Sequence, residues 1–140
     1  MIDRIDFAVN FSALTDDALT YVEDISVELQ DTAPRFFDAL AWTCEHERRQ
    51  RKAGLNEPVP FGIVGATLPE VEEAARAALL NAVRSAEFAK LQETQAAGDL
   101  VITVSKLFLD LHNGIVAAIG LDSLRAYRIA QLSPQTPAVN

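Results

Sequence analysis

The stretch from Leu100 to Leu121 constrains this chain more than any other. Within it Thr103, Lys106, Asp110 and Asn113 form the one polar stripe, and nearly every other residue is Leu, Ile, Val, Phe or Ala. Those four recur at intervals of three and four, the period of a helix. A helix so apolar around its circumference belongs at the centre of a fold or of an assembly. A bilayer is the other home for such a stretch, but Lys106, Asp110, His112 and Asn113 fall within it, and mid-membrane charges are costly. The spacing therefore predicts a buried helix over about 100–119, ended by Gly120. One competitor stands beside it: Asn113-Gly114 between Leu107–Leu111 and Ile115–Ile119 is also a strong hairpin signal. With that hairpin the fold would be α+β.

Other segments supply neighbours for this helix. Thr15 reads as the N-cap of a helix over about 16–30, with Asp16 and Asp17 in its first turn and Ala18, Val22, Ile25 and Leu29 along one face. Pro34 opens a second helix to about Ala53, with Phe37, Leu40, Ala41 and Cys44 inward and the cationic run Arg48–Lys52 at its carbonyl end. Residues 54–66 hold two prolines and three glycines and read as an irregular connector, packed down through Phe61, Ile63 and Val64. Thr67-Leu68-Pro69-Glu70 is a capping-box pattern, starting a helix that the periodicity carries to Ala97. A short helix over about 123–132 and a disordered tail over 133–140 complete the reading. Residues 4–11 alternate Ile5, Phe7, Val9 and Phe11 with polar or small residues, as an extended arm does, and no second strand is evident to pair with it. The expected fold is an all-α bundle of four to five helices, one domain over 1–132 with an N-terminal arm over 1–12.

Charge narrows the partners. Residues 1–40 carry nine acids against Arg4 and Arg35, whereas the rest is nearly balanced; the whole chain has a net charge of −8. Phosphate repels such a front third, which argues against nucleic acid and anionic membrane as ligands and favours a basic protein. The carboxylates expected to meet it are Asp17, Glu23, Asp24, Glu28 and Asp31. Cys44 is the lone cysteine, so no intrachain disulfide can form, and no basic-then-apolar leader opens the sequence. A cytoplasmic setting is expected.

Chemistry is thinly represented. Cys44 sits on an apolar helix face and reads as a core thiol, while Cys44 and His46 are too close along a helix to share an ion. Ser105 and His112 lie two helical turns apart, about 10 Å, and cannot act as nucleophile and base. His112 reads as a core or interface histidine and His46 as a surface one. Glu70, Glu73 and Asp99 are the acids with metal-binding potential, since carboxylates three apart on one helix facing another on the next can hold Mg2+. Around them, Glu72-Glu73 and Ala96-Ala97-Gly98-Asp99 resemble the metal motifs of the all-α nucleotide pyrophosphohydrolases of the MazG type. That resemblance implies Mg-dependent hydrolysis of a nucleoside triphosphate. Two of the family's acids are replaced here, by Arg76 and Ala96. No other cofactor is implied.

The function expected from these features is that of a small acidic interaction module, a regulator, adaptor or inhibitor without catalysis. The alternatives are the pyrophosphohydrolase and an acidic decoy of a nucleic-acid-binding site. Self-association is expected as well. The helix that begins at residue 67 carries a small-residue stripe that includes Ala78, Ala82 and Ala89, and a separate patch of Leu80, Phe88 and Leu91. Two such faces exceed what the remaining helices can cover, so these residues are the expected seam of a homodimer.

Overall fold

The structure, a computed structural model, describes residues 2–7, 9, 11–55, 57 and 59–120. The element order is β1 (Ile2–Phe7), a 3-10 turn (Phe11–Ala13), α1 (Asp16–Glu28), α2 (Pro34–Lys52), β2 (Phe61–Ala66), α3 (Leu68–Ala89) and α4 (Gln95–Ile119). Among the described residues the protein is mostly helical, four helices in a bundle with an N-terminal arm. The expected helix over 123–132 and the tail over 133–140 lie outside the described residues.

Residues 101–119 are helix, so the hairpin reading of Asn113-Gly114 falls. Gly114 serves a different purpose: a Cβ there would sit 2.8 Å from Cδ1 of Phe7. The glycine lets the arm's aromatic ring lie directly on α4.

The arm does have a partner strand, contrary to the sequence reading. The connector contains β2, which pairs antiparallel with β1 in the register Arg4↔Val64, Ile5↔Ile63, Asp6↔Gly62 and Phe7↔Phe61. Ile5, Phe7, Phe61, Ile63 and Ala66 are buried, while Arg4 and Asp6 point outward and pair with one another at 2.8 Å. One face of this two-stranded ribbon thus completes the core, as an isolated pair needs in order to persist.

Thr15 caps α1, its Oγ1 accepting from the amide of Ala18 at 3.1 Å, and Thr67 caps α3 through the amide of Glu70 at 3.3 Å. The long helix expected from 67 to 97 is instead two. It stops at Ala89, and Thr94 caps α4 by accepting from the amide of Ala97 at 3.1 Å. The core runs from the ribbon through Phe11, Phe36, Phe37 and Leu40 to Val104, Phe108, Leu111 and Ile115 of α4. Phe36 stands edge-on to Phe7, Phe37 and Phe61, with ring centroids 4.9–5.9 Å apart.

Candidate interaction surface

The helix pair α3–α4 is antiparallel, and two side chains of α4 fix its register. Ser105 Oγ donates to the carbonyl of Ala82 at 2.7 Å, and His112 Nδ1 lies 2.8 Å from the carbonyl of Ala75. Seven residues forward on one helix correspond to seven back on the other. Between them Ala75, Ala78 and Ala82 are buried, so the small-residue stripe allows α4 to approach the backbone of α3 closely. Ala78 and Ala82 are therefore committed within the chain, while Ala89 is partly buried beside an open depression. Buried in the chain, Ala78 and Ala82 are not the seam between copies that the sequence suggested.

Larger apolar residues are displaced outward by this arrangement. Of the eleven large apolar side chains exposed among the described residues, seven lie between Leu79 and Leu109. They occupy different edges of the helix pair. Phe88 borders a depression with Tyr21, Ile25, Asn81, Arg84 and Ser85, which is the edge facing α1. Leu80 is on the far side of α3, and Leu91 is in the connection after it. On the outer face, away from the core, Leu79 and Val83 are 39% and 54% exposed and Ile102 and Leu109 are 36% and 42% exposed. The register puts Leu109 level with Ala78, beside Leu79, and Ile102 lines a depression with Ala86 and Lys90. Leu79, Val83 and Ala86 succeed one another at four and three, and Ile102 and Leu109 are two turns apart, so each set keeps to one side of its helix. Sequence reading passed over these four because the same spacing also runs along the alanines.

The acidic residues of α1 divide. Asp17, Asp24, Glu28 and, just past the helix, Asp31 are exposed. Glu23 is not free: it is in an ion pair with Arg48 of α2, its side chain 22% exposed. The hydrogen bond from Arg48 to Glu23 pushes the guanidinium above its usual range, burial opposing and the attraction of the two charges adding to it. The acidic face is thus a narrower track than the sequence implied, and α1 has no basic residue to interrupt it.

The three candidate metal ligands do not meet. Glu70 accepts from the backbone amide of Arg35 at 2.6 Å and so ties α3 to the start of α2. Glu73 pairs with Arg76. The α3–α4 register sets Asp99 opposite residue 88, about 15 residues from Glu73 or roughly 22 Å along the axis. Asp99 instead lines an open depression with Asp17, Thr15 and Thr103 and accepts from Gln95 at 2.9 Å. Among the described residues no group of three His, Cys, Asp or Glu side chains is placed to hold a metal ion.

Other chemically capable side chains are held by structure. Burial pushes the Cys44 thiol up to about 12, with Glu23 adding to the effect and Arg48 opposing it, so the thiolate is not populated near neutrality. Arg51 reaches Glu47 at 2.8 Å, Asp16 at 2.7 Å and the carbonyl of Leu14 at 2.6 Å, which fastens the 3-10 turn to α2. His46 stacks on the exposed Trp42 at a centroid distance of 4.9 Å. Among the described residues α4 is, by length and composition, long and apolar enough to cross a bilayer, and a third of its most apolar window is buried in the bundle. No protein-family model, no curated protein and no solved structure matches this chain.

Proposed function

We propose that this protein is an acidic helical interaction module of the cytoplasm that works as a homodimer and receives a basic protein on α1. The observation that carries the reading is the outer face of the α3–α4 pair, where Leu79, Val83, Ile102 and Leu109 are exposed together. Patches of that kind on a protein surface mark contact with another protein. The exposed carboxylates Asp17, Asp24, Glu28 and Asp31 support a second contact, guided by charge.

The test of the second contact is proximity labelling in the native host, with Asp17→Asn, Asp24→Asn and Glu28→Gln combined in one variant. Basic proteins recovered with the natural chain should drop out with the variant, and association with any of them should weaken as salt rises. An unchanged set removes the acidic face from the account. If the proteins lost are nucleic-acid-binding ones, the module acts as a decoy of their ligand. The pyrophosphohydrolase reading has no geometric support, because its three acids are dispersed.

A further inference from the structure

We infer that the outer face of the α3–α4 pair, centred on Leu79, Val83, Ile102 and Leu109, is where a second copy of this chain docks across a two-fold axis. The inference rests on the homodimer reading and deepens it by replacing the alanine stripe with a different surface.

Size is the first argument. The 22 residues of α3 make a face about 33 Å long, and two helices side by side are roughly 20 Å wide. The footprint, on the order of 650 Å², approaches the roughly 800 Å² that each partner contributes to a stable interface of ordinary size. Smaller ligands would leave most of it uncovered.

Charge is the second argument, and it selects a copy over the basic partner assigned to α1. Around the apolar centre the exposed residues have both signs: Lys90 and Lys106 on one hand, Glu87 and Glu93 on the other. A face of one sign would repel its own copy, as the α1 track does. A mixed rim lets a two-fold rotation set acid against base. Geometry agrees, since two helical hairpins laid face to face make a four-helix bundle with its apolar residues inside.

The experiment uses the full chain. Sedimentation equilibrium at tens of micromolar should show twice the 15.3 kDa chain mass. Val83→Glu combined with Leu109→Glu should return it to the chain mass with helical circular dichroism kept, both positions being exposed in the single chain. A second route avoids added charge. Val83→Cys should join two copies by a disulfide under mild oxidation, because Cys44 is fully buried and does not compete, whereas Val27→Cys on α1 should not. A natural chain that sediments at 15.3 kDa overturns both the seam and the homodimer. A dimer that survives Val83→Glu/Leu109→Glu, with no Val83→Cys cross-link, overturns the seam alone and leaves the homodimer standing.

Discussion

The two helix pairs of this protein are assembled by opposite means. Between α1 and α2 the contact is made by bulk and charge: Leu19 and Val22 meet a core that includes Phe36, Phe37 and Leu40, and the margins are closed by Glu23–Arg48 and Asp16–Arg51. Between α3 and α4 it is made by smallness. Alanines bring the helices together, and side chains of α4 bond to carbonyls of α3. The first method leaves each helix with a wet, charged outer side. The second uses the small residues inward, so Leu79, Leu80 and Val83 of α3 fall on the outside. Surplus apolar surface is thus a consequence of close helix approach, which is why the proposed interface lies on this pair.

If the pairs differ in this way, they should fail in opposite directions. Leu40→Ala removes a fully buried side chain of α2 and should cost about 2–5 kcal/mol. At Ala78, where nothing can be removed, the damaging change is enlargement, and Ala78→Leu should cost about 1–3 kcal/mol through overpacking. Urea denaturation of both variants decides. A neutral Ala78→Leu would mean that α3 and α4 are not in close approach, and the contrast would collapse.

Much of this was legible. Thr15, Pro34 and Thr67 marked three helix starts because capping is local chemistry that needs no tertiary context. The polar stripe Thr103–Asn113 gave α4 its face, all four residues being exposed. β2 was hidden because glycines interrupt its pattern. At Gly62 a Cβ would sit 2.8 Å from Oδ1 of Asp6 and 2.9 Å from the carbonyl of Ile5, so the cross-strand approach itself requires the residue that disguises the strand. The break after Ala89 was missed for the reverse reason. Lys90, Leu91, Gln92 and Glu93 are all good helix formers, and the signal lay in Thr94 as an N-cap. The candidate site was legible only as periodicity. Two apolar lines on α3 have the same spacing, and which one faces α4 is decided by packing that spacing does not encode.

Cys44 sharpens the contrast from the α2 side, where charge borders a dry core. The folded chain keeps the thiol proton to about 12, whereas an unfolded thiol gives it up from about 9. Unfolding therefore releases a proton between those values, and stability falls as pH rises through the window, by at most about 1.4 kcal/mol per pH unit. Below pH 8 the thiol contributes no slope. Urea midpoints at pH 8 and pH 10 for the natural chain and Cys44→Ala measure this directly. Equal pH slopes in the two would mean that the thiol is not shielded and that the α1–α2 margin admits water.

The smallest effect distinguishes the two kinds of margin. Glu23 and Arg48 are partly exposed, so a double-mutant cycle with Glu23→Gln and Arg48→Met should give a coupling of about 0.5–1 kcal/mol. Because the attraction is between charges with access to solvent, adding salt to about 1 M should remove most of it. The counterpart on the other pair is the hydroxyl of Ser105. Removing it in Ser105→Ala takes away one hydrogen bond to the Ala82 carbonyl, which still has its place in the helix ladder, and should cost about 0.5–1 kcal/mol. No net charge is involved, so that loss should be the same at low and high salt. Similar magnitudes with opposite salt behaviour would show that α1–α2 is bordered by electrostatics and α3–α4 by geometry. A Glu23–Arg48 coupling that persists in salt would place that pair in the dry core, and the division drawn between the two hairpins would have to be redrawn around it.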